Sequence, residues 1–153
     1  EVIVIEARGE SGSGTLGDIL AIRAHARGAA GIVTDGGVRD YTAVAGLDMP
    51  TYFANPHPAV LGRRHIPWDT DITIACGGAT VQPGDIIVAD SDGILVIPPA
   101  IAEELVEDCI QQEQEETFIF EMVKQGNSVD GLYPMNAEWQ ARYEEWKAGK
   151  AND

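Results

Sequence analysis

No apolar run in this 153-residue chain approaches the roughly 18 to 20 residues that a membrane-spanning helix needs. Positive charge is scarce as well: 10 Lys and Arg stand against 25 Asp and Glu, a formal net charge of −15. Such a surface repels phosphates over most of its area, which argues against nucleic acid and an anionic membrane as partners. A small anionic substrate stays open, because one Arg and one divalent cation reverse the sign inside a pocket. Cysteine is limited to Cys76 and Cys109, with no C-x-x-C spacing. Two isolated thiols fit a reducing cytoplasm better than a disulfide framework. A secretory leader is not visible, nor is an initiator Met. The chain opens in "EVIVIEARG", a strand already under way, and is expected to be the later part of a longer protein.

What is present is ordinary for a globular protein: 44% of residues are hydrophobic, and the length suffices for one buried core. "VIVI" (2–5) is a short continuous apolar run of the buried-strand kind. "RGESGSGTLG" (8–17) reads as a flexible glycine-rich loop. "DILAIRAHARG" favours helix, with Gly28 as its stop and Thr15 three residues before Asp18 as a capping-box start. "AGIVTD" is a strand, so residues 2–35 read as a β-loop-α-β unit with parallel strands. "TYFA" (51–54) and "DITIAC" (71–76) are strands, and "VQPGD" holds a type II turn. "IIVADSDGILVIP" reads as two strands around an Asp-Gly hairpin turn. A long acidic helix is expected over 100–125, with Ile101, Leu105, Cys109 and Ile110 on one face. The tail "NAEWQARYEEWKAG" is a last helix capped by Asn136. One α/β domain over 1–126, followed by a helical tail over 127–153, summarises the expectation.

Two loops hold groups that can do chemistry. "GTLGDIL" brings glycines to a helix start, where backbone N–H groups and the positive end of the helix dipole face outward. That suits a carboxylate or phosphate, and equally an ordinary cap. It is no Walker loop and does not match G-x-G-x-x-G. "GGVRD" follows the next strand, and its two glycines allow a tight turn and close approach to a ligand. Arg39 offers a planar fork for a carboxylate or enolate oxygen. Asp40 offers hard oxygens of the kind Mg²⁺ or Mn²⁺ takes, although the two side chains could also form a plain surface ion pair. Both loops follow consecutive strands and are expected at one sheet edge, where ligand crevices of open α/β folds form. The histidines lack metal spacing: His25 falls in a helix, His57 and His65 in "NPHPAVLGRRHIP", and each reads as a solvated surface residue. The acids of 103–121 read as a solvated helix face. G-x-S-x-G is absent, and neither Cys has a base near it in sequence.

Asp18, twenty residues, then Arg39-Asp40: this spacing resembles the D-x20-R-D signature of the metal-dependent pyruvate aldolases related to regulator of ribonuclease activity A. The similarity continues through "ARGAAGIVTDGGVRD", "CGGATVQPGDIIVADSDGILVIP" and "GLYPMN". The family includes 4-hydroxy-4-methyl-2-oxoglutarate aldolase, which also decarboxylates oxaloacetate, and its members normally have a further N-terminal segment. The resemblance implies a swivelling β/β/α domain like that of phosphohistidine domains, with a C-terminal helical extension here. It also implies homotrimers or homohexamers with sites between subunits. Backbone at Gly17, Asp18, Ile19 and Leu20 would bind the pyruvate carboxylate, and Arg39 would contact the keto oxygen. Asp40 would hold Mg²⁺ or Mn²⁺ directly and Asp18 would do so through water, with Glu113 or Glu116 added from a neighbouring subunit. The implied activity is that of a class II pyruvate aldolase or oxaloacetate decarboxylase in the cytoplasm.

The family also includes non-catalytic members that bind and inhibit a ribonuclease, and an acidic surface can mimic nucleic acid toward a basic partner. This chain keeps the Gly-Asp and the acid after the arginine, which favours the enzyme. A phosphohistidine-type role would need a His flanked by phosphate-stabilising groups, and none is evident. Arg63, Arg64 and His65 lie in a segment that departs from the simpler aldolases. They could bind a distal carboxylate, or pair with the acidic surface.

Overall fold

The computed structural model describes residues 1–150. By packing they fall into two compact units, Glu1–Pro99 and a second that begins at Ala100. The boundary comes before the long helix and not near residue 126, because that helix packs with the C-terminal tail. Both units together give a mixed α/β chain with helices at its C-terminal end. No helix among the described residues is long and apolar enough to cross a membrane.

The first unit is built on two small parallel sheets that the chain enters alternately, with two hairpins added. Sheet one pairs β1 (Val2–Ile5), β3 (Gly31–Thr34) and β5 (Thr51–Tyr52) in the order β1-β3-β5, all parallel. Sheet two pairs β2 (Gly14–Leu16), β4 (Gly37–Val38) and β6 (Asn55–Pro56) in the order β2-β4-β6, also parallel. Helices α1 (Asp18–Ala26) and α2 (Tyr41–Ala45) supply the crossovers. Every residue of "GIVT" in β3 is buried, as an unbroken apolar run in a central parallel strand requires. Its neighbours point to opposite faces. Ile32 packs with Leu16, Ala21, Val38, Val44 and Met49 under the helices. Val33 packs with Cys76 and Val81 under the hairpins β7 (Ile74–Cys76)–β8 (Ala79–Val81) and β9 (Ile86–Ala89)–β10 (Ile94–Ile97).

Several expectations hold locally. Gly28 has φ +83° and ends α1 in a Schellman arrangement, with Gly28 N–H donating to His25 O and Ala29 N–H to Ala24 O. Gly84 has φ +95° in the Pro-Gly turn, closed by Asp85 N–H to Gln82 O at 3.0 Å. Others do not. The "flexible loop" contains β2, and the N-cap of α1 is Gly17. Thr15 takes no part in capping: its hydroxyl is buried and donates to Gly37 O at 3.0 Å, where β2 bulges against β4. The β9–β10 hairpin has a four-residue loop, Asp90 to Gly93, instead of a two-residue Asp-Gly turn. There the Asp90 carboxylate accepts from the Asp92 and Gly93 amides.

The paired glycines of "TDGG" do not make a left-handed turn, since neither has positive φ. They make room for neighbouring chain. A Cβ on Gly36 would stand 2.5 Å from Ala7 Cβ, and one on Gly37 would stand 2.7 Å from Ser13 O. Only glycine lets β4 thread between β2 and β6 at this separation.

The second unit is a helical pair, α3 (Ala102–Lys124) and α4 (Ala137–Lys150). Its core is Phe118, Leu132 and Tyr143, and Phe118 lies 5.6 Å from both the Tyr143 and Trp146 rings. Asn136 caps α4 as its sequence position foretells, accepting from Trp139 N–H at 3.0 Å. Glu121 ties the two helices, accepting from Trp146 Nε1–H at 2.8 Å and from Lys150 Nζ at 2.9 Å. The apolar stripe expected at Ile101, Leu105, Cys109 and Ile110 is not the packed face of α3. Ile101, Cys109 and Ile110 are exposed, and the inward residues come later, at Phe118, Ile119 and Met122.

Candidate functional site

Sheet two ends in a row. Leu16 pairs with Val38, and Val38 with Pro56, so three parallel strands stop side by side. The ladder continues one step further: Arg39 N–H donates to Leu16 O and His57 N–H to Val38 O, each at 2.9 Å. The residues that leave the sheet are therefore Gly17, Arg39 and His57. They stand at the C-terminal ends of parallel strands, the edge at which α/β folds bind ligands.

The glycines of "GTLG" seat the arginine. A Cβ on Gly14 would stand 2.6 Å from Arg39 Cγ, and one on Gly17 would stand 3.5 Å from Arg39 Cβ and 2.6 Å from Asp40 Oδ2. The Arg39 stem thus lies across β2, and the Asp40 carboxylate lies against the N-cap of α1. Asp40 adopts the left-handed region, φ 55° and ψ 39°, which is uncommon for a residue with a side chain. Its carbonyl begins α2, accepting from Ala43 and Val44. Arg39 and Asp40 approach each other loosely, at 3.5 Å, with both side chains about a third exposed.

In α1 the hydrogen-bond ladder begins with Ala21 N–H to Gly17 O. The amides of Asp18, Ile19 and Leu20 precede it and have no carbonyl partner within the helix. The Ile19 amide is covered by Asp18 Oδ1 at 2.7 Å. The Ile19 and Leu20 side chains are exposed. Arg39, Asp40 and His57 line a cleft of about 300 Å³ together with Tyr41, Pro56 and Pro58.

Of the residues singled out from sequence, Gly17, Asp18, Arg39 and Asp40 come together at this edge. Glu113 and Glu116 belong to α3 of the second unit, where Glu116 Oε1 accepts from Gln112 Nε2 at 2.9 Å. Arg63 and Arg64 are exposed on the short turn at Leu61–Arg63 and do not line the cleft, nor does His65. His57 is the residue that sequence reasoning placed in solvent and the structure places in the cleft. The signal was its position between Pro56 and Pro58, directly after a strand too short to recognise.

No group of three or more His, Cys, Asp or Glu side chains that could hold a metal occurs among the described residues. Asp40 and Asp18 are one or two hard carboxylates at an open position. That donor set fits Mg²⁺ or Mn²⁺, which keep several waters, and does not fit a closed zinc site.

A larger cavity of about 840 Å³ lies between sheet one and the hairpins, floored by Val4, Val33, Val81 and Ile87. Its chemistry is poorer. Asp35 at its rim already accepts from the Ala7 amide at 2.6 Å and the Gly9 amide at 2.9 Å. Burial, reinforced by Asp35, pushes the Cys76 thiol up, so it stays protonated at neutral pH.

A family described as "RraA-like: Aldolase/RraA" matches residues 1–96. A Halalkalibacterium halodurans protein named "Putative 4-hydroxy-4-methyl-2-oxoglutarate aldolase" is 33% identical over 116 residues, covering 76% of this chain and 55% of that protein. Among solved structures, an uncharacterized protein from Pseudomonas syringae pv. tomato superposes with TM-score 0.79 at 30% identity, over 86% of this chain and 66% of the other. Streptomyces coelicolor RraAS2, described as an unusual member of the RNase ES inhibitor RraA protein family, gives TM-score 0.74 at 38% identity, over 76% of this chain and 60% of its own. The chain thus spans little more than half the length of the Halalkalibacterium protein.

Proposed function

The chain belongs to the RraA-like (Aldolase/RraA) family, and from that premise we propose that it is a divalent-metal-dependent carbon–carbon lyase that releases pyruvate from 2-keto acids. The observation that carries this reading is the contact of the Asp40 carboxylate with Gly17, beside Arg39, at the start of α1. Anion-binding amides, a guanidinium and a metal-seeking carboxylate then converge on one small volume.

Breaking the bond beta to a ketone leaves an enolate, and its negative charge is the main barrier. The amides at Gly17, Asp18 and Leu20, joined by that of Ile19 once the Asp18 carboxylate swings off it, receive the pyruvate carboxylate at the positive end of α1 and fix its orientation. Arg39 donates to the keto oxygen and stabilises the charge that grows there, from a position set before the reaction begins. Asp40 would hold Mg²⁺ or Mn²⁺ directly and Asp18 would support it through water, with Glu113 or Glu116 of a neighbouring copy completing the set. When bound, the ion supplies Lewis-acid polarisation of the keto oxygen. Aldol cleavage also needs a base for the substrate hydroxyl, a role that falls to Asp18. Decarboxylation of oxaloacetate reaches the same enolate without that base. The helix-on-sheet-on-hairpin layering of the first unit supports the swivelling β/β/α reading, with homotrimers or homohexamers as the working assembly.

The test is pyruvate release from oxaloacetate and from 4-hydroxy-4-methyl-2-oxoglutarate in a coupled assay, with Mg²⁺, with EDTA, and with Asp40→Ala in Mg²⁺. Release that needs the metal and vanishes in the variant supports the lyase. No release above the metal-only background from folded, assembled protein refutes it for these substrates. A second reading, a non-catalytic regulator of a ribonuclease, is favoured by the net charge of −15 and by the description of the Streptomyces relative. Under that reading Asp40→Ala leaves ribonuclease inhibition intact.

A further inference from the structure

His57 is the third member of the row that begins with Gly17 and Arg39, and nothing in the mechanism above uses it. Its backbone N–H continues the ladder to Val38 O at 2.9 Å, so it stands beside Arg39 in register. Neighbours in register point to the same side of a sheet, and both residues line the cleft. The ring is held in place. Its Nδ1 accepts from the Ala59 amide at 3.0 Å. Pro56 and Pro58 restrict the backbone on either side. Gly37 leaves the space next to it, since a Cβ there would stand 3.3 Å from His57 Cβ.

The hydrogen bond decides what this histidine can do. With Nδ1 accepting, a neutral ring holds its proton on Nε2. Nε2 is then a donor, and making it an acceptor requires an Nδ1–H turned against the Ala59 N–H. His57 is built to donate from Nε2 to an oxygen. Distance along the row says which oxygen. Gly17 and His57 are two strand spacings apart, on the order of 10 Å. A pyruvate unit with its carboxylate at α1 and its keto oxygen at Arg39 reaches about halfway. The rest of a longer 2-keto acid extends toward His57.

We propose that His57 is a specificity residue whose Nε2–H binds a carboxylate or hydroxyl oxygen of the substrate fragment beyond the pyruvate unit. The inference rests on the lyase reading, deepening it from 2-keto acids in general to those with an oxygen on the far fragment.

The test uses the full natural chain in its assembled form, with His57→Ala and His57→Gln. Glutamine carries an N–H donor near the position of Nε2. Three readouts are taken: cleavage of 4-hydroxy-4-methyl-2-oxoglutarate, metal-dependent exchange of pyruvate methyl protons in D2O, and long-range ¹H–¹⁵N spectra of the His57 ring. The free protein is expected to show the Nε2–H tautomer. Added 2-oxoglutarate, which lacks the hydroxyl and is not cleaved, shifts the ring signals, whereas pyruvate leaves them in place. His57→Ala raises KM for cleavage by about tenfold, as expected for one lost hydrogen bond to a charged group, and leaves pyruvate exchange unchanged. His57→Gln recovers most of the KM. An alanine variant that slows exchange and cleavage alike, or leaves KM unaltered, overturns the proposal, as do ring signals indifferent to 2-oxoglutarate. Wild-type protein that neither cleaves nor exchanges refutes the lyase reading instead. The ring signals still decide on His57 in that case: a shift with 2-oxoglutarate upholds oxygen recognition, and no shift ends it.

Discussion

Replacing Gly17 by alanine tests the site with a single methyl group. Gly17 has φ −134° and ψ −171°, extended backbone that any residue adopts, so the substitution introduces no backbone strain. The new Cβ would stand 2.6 Å from Asp40 Oδ2. Ordinary carbon–oxygen contact begins near 3.3 Å, so the carboxylate must retreat by about 0.7 Å. The group that moves is the end of a side chain about a third exposed, and the fold accommodates it. Exchanging glycine for alanine at an N-cap loses only about 0.5–1 kcal/mol. Productive geometry is less forgiving: tolerance is about 0.5 Å, and a misplacement near 1 Å lowers turnover about 100-fold. The expected result is a Tm within a few degrees of wild type and a kcat/KM for metal-dependent pyruvate release lower by about 100-fold. Adding Asp40→Ala should reduce the stability effect of Gly17→Ala to the N-cap loss alone, since the methyl then meets only Arg39 Cβ, at an ordinary 3.5 Å. A Gly17→Ala protein with near wild-type activity would show that Asp40 does not work from the position described here, and the site would have to be redrawn.

Three further outcomes test the fold. Gly37→Ala should lower stability by about 2 kcal/mol or more, because the new Cβ meets the backbone carbonyl of Ser13 at 2.7 Å and a central strand cannot yield; urea melts read it. Phe118→Ala removes the ring at the centre of the second unit, 2% exposed, and should destabilise that unit by about 3–5 kcal/mol, seen as early cleavage by protease between α3 and α4. Glu121 is held below the usual carboxylate range, first by the hydrogen bond from Lys150 and then by that from Trp146. A depressed carboxylate adds stability above its unfolded pKa, about 4.3, and loses it as pH falls through the lower folded value. Glu121→Gln should therefore flatten the acid limb of the melt followed by Trp139 and Trp146 fluorescence; an unchanged limb refutes the assignment.

The sequence by itself determined the local elements and the chemical inventory. Unbroken apolar strands such as "GIVT", a helix stopped by Gly28 and a tail capped by Asn136 are short-range matters, settled by propensity and capping within a few residues. So was the pairing of Gly17-Asp18 with Arg39-Asp40, because a β-α-β unit returns both loops to one edge. Glycine was read less well. Gly14 and Gly17 looked like flexibility and Gly36 and Gly37 like a tight turn beside a ligand, yet what all four provide is absence of bulk against Arg39, Asp40, Ala7 and Ser13, and those neighbours lie from 20 to 30 residues away. Strands of two or three residues, β2, β4 and β6, carry too little periodicity to be seen, and with β6 went the placement of His57. The stripe on the first half of α3 was a sound period, but Ile101, Cys109 and Ile110 in it are exposed, and the buried face lay a few turns later. Periodicity says which residues share a side. Only the tertiary structure decides what that side meets, because contact depends on chain brought together from far apart in sequence.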